Sequence, residues 1–127
     1  IGNMVNKGLE FTLNFVPVQT ADMHWSIGGN ITIQDTKITK LTTLKTEGYL
    51  GVTTGSGMGG TGGYSSLHRE GFSPYTFYMF QQLYDNEGNP VQNGLVDRDG
   101  DGEITDADRY VTGFSPTPDA FFGINTQ

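Results

Sequence analysis

At 127 residues the chain is bounded to one compact domain, and its 35 % apolar content is low for a large independent core. A net charge of −7 and a pI near 4.5, with seven scattered Lys and Arg, leave no basic face for phosphates, so no nucleic-acid partner is expected. The absence of cysteine excludes disulfides and thiol chemistry. No apolar run approaches the ~20 residues of a membrane helix, a test that barrel strands of about ten residues escape.

The opening "IGNMVNKGLEF" has neither a basic region nor an apolar stretch of signal-peptide type, so none is expected in it. In "GLEFTLNF", Leu9, Phe11, Leu13 and Phe15 alternate with Glu10, Thr12 and Asn14. In "HWSIGGNITIQD", Trp25, Ile27, Ile31 and Ile33 alternate with His24, Ser26, Gly28, Asn30, Thr32 and Gln34. Both read as period-two strands, over 9–16 and 24–34, each with one apolar and one polar face. Pro17 discourages further ladder pairing, and Thr20, Ala21 and Asp22 suit a turn. A half-buried sheet of a soluble sandwich carries the same alternation.

Beyond this point the register dissolves. Ile38, Leu41 and Leu44 are spaced by three, a helical hint that the surrounding threonines oppose. "GVTTGSGMGGTGGY" holds seven glycines between Gly51 and Gly63 and formally contains GxGxxG at Gly55, Gly57 and Gly60. That motif needs a strand before it and a helix after it, so residues 51–63 read as a mobile loop and not as a phosphate site. Next, "FSPYTFYMFQQLYDNEGNPV" reads as an aromatic strand over 72–84 entering a hairpin through Asp85-Asn86-Glu87-Gly88. Its rings are expected to serve packing more than sugar stacking.

Six of the fourteen acidic residues fall in "DRDGDGEITDAD", residues 97–108. Asp97, Asp99 and Asp101 occupy loop positions one, three and five, Gly102 six, Glu103 seven, Thr105 nine and Asp108 twelve. This is the spacing of an EF-hand-type calcium loop. Calcium takes six to eight oxygens, so alternate carboxylates can turn inward while glycine makes the bend and residue seven offers its carbonyl. Ile104 is expected to point into the fold. Asp108 stands where Glu is usual and has a shorter reach. Gly, Pro and β-branched residues on both sides argue against flanking helices. The expected metal ligands are Asp97, Asp99, Asp101, the Glu103 carbonyl, Thr105 and Asp108.

After "SPTPD", Ala120, Phe122, Ile124 and Thr126 begin another alternating strand without a closing turn. No enzyme is expected: the carboxylates sit in a metal-type loop, and His24 and His68 lack any catalytic or zinc motif, His24 on a strand and His68 in a loop.

Three passages together resemble the C-terminal part of the SusC/RagA family, the TonB-dependent outer-membrane transporters of glycan-utilising bacteria. "IGNMVNKGLEFTLNF" is similar to the strand that opens Gly-x-Met-x-Asn-Lys-Gly-(Leu/Ile)-Glu, and "WSIGGNITIQDTKITKL" looks like the strand that follows it. "LVDRDGDGEITDADRYVTGFSPTPDAFFGIN" resembles the family's Asp-x-Asn-Gly-Asp-Gly loop running into Gly-x-(Ser/Thr)-Pro-x-Pro-Asp and the next strand. Two departures are Asp99, where Asn is frequent, and "GVTTGSGMGGTGG", which matches no family pattern.

The resemblance implies an all-β chain: antiparallel hairpin strands of an outer-membrane barrel plus a long extracellular loop region that contains the calcium loop. Residues 1–42 would be two barrel strands with a short periplasmic turn, 43–118 the extracellular region, and 119–127 the start of the next strand. Leu9, Phe11, Leu13, Phe15, Trp25, Ile27, Ile31 and Ile33 would face lipid, and Glu10, Thr12, Asn14, His24, Asn30 and Thr32 the lumen. The full transporter would carry a plug, draw on TonB, close beneath a SusD-like lipoprotein lid and import an oligosaccharide or peptide. The isolated piece is expected to self-associate through its apolar face. The rival expectation is a self-contained calcium-stabilised β-module binding polysaccharide or a protein, which would have to cover its apolar rows with its own chain.

Overall fold

The computed structural model of the chain describes residues 2–41, 47–57 and 63–127. Strands β1 (Asn3–Gln19) and β2 (His24–Lys40) form a long antiparallel hairpin. Its turn is closed by Thr20, whose amide donates to the Met23 carbonyl at 2.8 Å and whose Oγ1 accepts from the Met23 amide at 3.0 Å. Both strands outrun the expected bounds. Pro17 lies inside β1 at a register shift between Phe15 and Val18, where a bulge already interrupts the ladder and a missing N–H costs no bond. The expected loss of register after residue 34 does not occur before Lys40, because β-branched Thr36, Ile38 and Thr39 fit the extended backbone better than a helix.

The middle of the chain folds as β3 (Val52–Gly57), β4 (Tyr64–His68), β5 (Thr76–Met79), β6 (Gln82–Tyr84), β7 (Pro90–Leu95) and β8 (Tyr110–Val111). β3-β4-β5-β8 form one antiparallel sheet in that order, and β6-β7 a separate hairpin. The glycine-rich stretch expected to be a mobile loop is therefore a paired strand over 52–57, with Val52 opposite His68; residues 58–62 lie outside the described residues. Gly51 is required there: its φ is +135°, and a Cβ would collide with the His68 carbonyl oxygen. His68 is a strand residue, edge-on to the Tyr75 ring at 4.7 Å.

The aromatic stretch is two strands, not one, broken at Phe80-Gln81, and its rings divide between packing and solvent: Tyr78 is buried while Tyr84 is exposed. The core is small, built on Leu67, Thr76, Tyr78 and Ile38. Ile38 also fastens this sheet to the hairpin, because its amide donates to the Phe72 carbonyl at 2.9 Å and its carbonyl accepts from Gly71 at 2.8 Å.

β9 (Ala120–Thr126) appears where alternation predicts it and pairs antiparallel with the free side of β2, giving the sheet order β1-β2-β9. Registers align three-residue rows. One face carries Leu9–Ile33–Ala120, Phe11–Ile31–Phe122, Leu13–Gly29–Ile124 and Phe15–Ile27–Thr126. The other carries Glu10–Thr32–Phe121, Thr12–Asn30–Gly123 and Asn14–Gly28–Asn125. The apolar face is bare, with Leu9, Phe122 and Ile124 each more than three-quarters exposed. It is also bounded. At one end Lys7 stands opposite Asp35, which pairs with Lys37 at 2.9 Å; at the other the Trp25 indole N–H donates to Thr126 Oγ1 at 2.8 Å.

Candidate metal centre

Between β7 and β8 the chain winds into a tight acidic loop. Gly100 and Gly102 take φ of +78° and +86°, values open to glycine, and this coils the backbone so that successive amides turn toward carboxylates. Asp97 accepts from Gly100 at 2.6 Å and Gly102 at 2.8 Å, Asp99 from Asp101 at 3.2 Å, and Asp101 from Glu103 at 2.8 Å. A short 3-10 turn, Asp106–Asp108, follows; Thr105 caps it through its side chain, and the Asp108 carboxylate accepts in return from the Thr105 amide at 2.8 Å. The other Asp108 oxygen accepts from Arg98 at 2.6 Å, tying the end of the loop to its start.

One carboxylate oxygen from each of Asp97, Asp99 and Asp108 lies within 4.8 Å of the others, the one such acidic group among the described residues. These three of the expected ligands are brought together. The Asp101 and Glu103 carboxylates are outside the group, the ligand expected of Glu103 being its backbone carbonyl, and the Thr105 hydroxyl caps the turn, accepting from Ala107 at 3.2 Å. Ile104 does not point into the fold: it is 45 % exposed, because the capping turn rotates the chain outward there while Asp108 takes the buried position.

The electrostatics separate the carboxylates. The Thr105 and Arg98 amides hold Asp108 below the usual carboxyl range, against the opposing effect of burial. At Asp99 the Asp101 amide lowers the pKa, but desolvation and the charges of Asp101, Asp108 and Asp97 outweigh it and the net shift is upward. Eight acidic residues and one cation, Arg98, lie between Asp85 and Asp108, so this stretch alone accounts for the chain's net charge of −7. All the ligand atoms of the cluster are hard carboxylate oxygens. Such a set suits a hard cation and offers nothing to a soft one.

Two arginines flank the acidic loop and tie its ends to neighbouring aromatic residues. Arg98 lies 4.6 Å over the Tyr110 ring and donates to Gln81 Oε1 at 2.8 Å. Arg109, buried, donates to the carbonyls of Tyr64 and Tyr78, the latter at 2.7 Å, and lies 4.3 Å over the Tyr78 ring. The signal was the placement of both arginines at the loop's ends beside an aromatic-rich segment.

Comparison with known proteins gives the chain its relatives. It is 35 % identical over 128 residues to the TonB-dependent receptor SusC of Bacteroides thetaiotaomicron, matching 100 % of the chain and 13 % of that receptor. It is 30 % identical over 141 residues to the TonB-dependent receptor P3 of Formosa agariphila, matching 100 % of the chain and 14 % of that receptor. No family model matches, and no solved structure matches. Along its whole length the chain is thus similar to part of these two TonB-dependent receptors, and it spans 13 % and 14 % of their lengths.

Proposed function

We propose that the chain supplies wall strands and an extracellular region to an outer-membrane, TonB-dependent transport barrel and performs no catalysis itself. Residues 1–42 and 119–127 belong to the wall, with a periplasmic turn at 20–23, and residues 43–118 stand outside the cell. The bounded apolar band carries this reading. From Lys7 to Val18, the partner of Trp25, β1 rises about 36 Å, which a tilt of about 45° reduces to about 25 Å, the height of an outer-membrane apolar band. A charged row closes the band at one end, and an indole with a satisfied N–H closes it at the other, as interfaces favour. The rival self-contained module needs that face covered, and among the described residues nothing covers it.

The assembled barrel would draw on TonB, close beneath a SusD-like lipoprotein lid and import an oligosaccharide or peptide. Its acidic loop would be organised by calcium, held by Asp97, Asp99 and Asp108, with Asp101, the Glu103 carbonyl and Thr105 completing the oxygen set. Oxygens on opposite sides of a calcium bound at 2.3–2.6 Å stand about 5 Å apart, in keeping with a cluster no wider than 4.8 Å. The bound charge would relieve the repulsion that raises Asp99. The test is thiol labelling of the receptor in intact outer membranes. Asn14→Cys should react with a water-soluble maleimide and Phe11→Cys should not; equal rates would end the barrel reading.

A further inference from the structure

The apolar face of the β1-β2-β9 sheet is notched. Gly29 leaves its row, Leu13–Gly29–Ile124, without a central side chain, and the neighbouring rows bring Phe11, Ile31 and Phe122 to one side of the gap and Phe15 to the other. The notch holds about 370 Å³. A second recess, of about 320 Å³, lies where the Leu9–Ile33 row gives way to Lys7–Asp35. One row further on the same face Val5 stands opposite Lys37, whose Nζ meets Asp35 Oδ2 at 2.9 Å with both side chains more than half exposed. Two cations thus share one carboxylate. The hairpin's lysines are gathered at this end: Lys7, Lys37 and Lys40 all fall between the Lys7–Asp35 and Asn3–Lys40 rows, and residues 8–34 hold no lysine or arginine.

We propose that the charged row and the notch form one site for an acylated lipid with a phosphate headgroup, taken from the outer leaflet. The inference rests on the barrel reading, which puts this face against lipid and the open end of the hairpin at the outer surface. Lys7 and Lys37 hold the phosphate as point charges, and the phosphate supplies the anion that the row lacks. Lysine suits the place, because its stem covers apolar surface while the ammonium stays at the interface. From Lys7 to Leu13 the strand rises about 20 Å, or about 14 Å of height at a tilt of about 45°. That is roughly half the apolar band, the depth of one leaflet, so an acyl chain descending from the row ends in the notch. A second copy of the barrel is the poorer occupant. Side by side in one membrane, it would bring two more lysines to the same height and set like charges together.

The experiment is native mass spectrometry of the detergent-purified receptor, titrated with lipid A bearing its phosphates and, separately, with lipid A stripped of them. Lys7→Gln and Lys37→Gln should each weaken binding of the phosphorylated lipid about fivefold. Gly29→Leu fills the notch, at a position where an added Cβ makes only an ordinary 3.5 Å contact with the Gly123 carbonyl, and should weaken it roughly tenfold, the worth of about two buried methylenes. Asp35→Asn should tighten binding by releasing Lys37 from its pair, whereas a row that merely held the strands together would lose affinity. Equal binding of the phosphate-free lipid, no response to the lysine changes, or none to Gly29→Leu would each overturn the proposal. Cross-linking of Phe122→Cys between two receptors would assign the face to a second copy and overturn it as well. Labelling of Phe11→Cys by a water-soluble maleimide separates the two failures. A shielded thiol with unaltered lipid binding in the variants sinks this inference alone, whereas a reactive thiol sinks the barrel reading beneath it.

Discussion

Asp108 and Arg109 are consecutive and both buried, and they send opposite charges into two different structures. Asp108 closes the acidic loop through the amides of Arg98 and Thr105, while Arg109 reaches into the neighbouring sheet and donates to the carbonyls of Tyr64 and Tyr78. One peptide bond therefore joins the loop's closure to the sheet's cohesion. Arg109→Lys should break the second link, because an ammonium lacks the planar fork that serves two carbonyls and stacks on Tyr78. The expected cost is about 2 kcal/mol, or roughly thirtyfold in local opening, read as faster hydrogen exchange of residues 76–79 and 110–111 in the receptor. Unchanged exchange would show that the guanidinium is not what holds those strands.

Calcium titration should rank the carboxylates. Asp97→Ala and Asp99→Ala should abolish calorimetric calcium binding, for which a dissociation constant of ~10⁻⁴ to 10⁻³ M is expected of an extracellular site. Asp101→Ala should weaken it less, since Asp101 lies outside the close group and serves the Glu103 amide. A wild-type receptor that gives no heat with calcium would refute the metal and leave a hydrogen-bonded acidic turn.

The β6–β7 hairpin carries a pH dependence of its own. Asp85 accepts from the amides of Asn89 and Glu87, each at 2.9 Å, and the Asn89 amide is the leading cause of a pKa held below the ordinary 3.8. A carboxyl depressed on folding stabilises fully above its unfolded value and loses that contribution as pH falls through the folded one. Protection of the hairpin amides should thus hold from neutral pH down to about 4 and fall below it, and Asp85→Asn should remove the dependence. Asp99 has the opposite sign. Its raised pKa means that, without a cation, ionising it as pH rises costs the loop stability.

The strands were legible where one residue type occupied one face. Phe11, Ile31 and Phe122 each announced the apolar side of its own strand, because period two survives wherever a face is uniformly apolar, while their shared row emerges only from the pairing. Extents were harder to read. Pro17 is innocuous only because a bulge falls beside it, and β3 forms despite its glycines because Gly51 lets the chain pass close against the His68 carbonyl. Both conditions are tertiary. In the acidic loop, spacing located Asp97, Asp99 and Asp108, while the capping turn that exposes Ile104 and engages Thr105 depends on where the chain goes next. Phe121 drew no expectation of its own, since the alternation of Ala120, Phe122, Ile124 and Thr126 left it on the other side, and only the register with Thr32 shows which residues share its row.

Gly28 offers a steric test of the polar face. A methyl group there would strike the carboxamide oxygens of Asn14 and Asn125, which belong to side chains able to swing aside, whereas at Gly8 it would strike the Ile33 backbone carbonyl at 2.7 Å. Gly8→Ala should therefore lower receptor yield in the outer membrane more than Gly28→Ala does. Equal yields would mean that the β1-β2 backbone adjusts as readily as a side chain.

Taken out of its receptor, the chain must do something with its apolar face. An isolated hairpin is marginal, and the three-stranded sheet leaves Leu9, Phe11, Leu13, Phe15, Ile31, Ile33, Phe122 and Ile124 exposed. Covering even ~500 Å² at ~25 cal/mol per Å² is worth about 12 kcal/mol before the costs of association. The chain's own middle region is poorly placed to do this, because it is fastened at Ile38, beyond the charged row of Lys7, Asp35 and Lys37. Two copies can instead lay their rows together, and the seventeen-residue outer edge of β1 can pair with its counterpart. Sedimentation in detergent-free buffer should show dimers or larger species that fall apart when Phe11 and Phe122 are both changed to Ser. A clean monomer at high concentration, with those side chains protected from solvent within one chain, would instead favour the self-contained module.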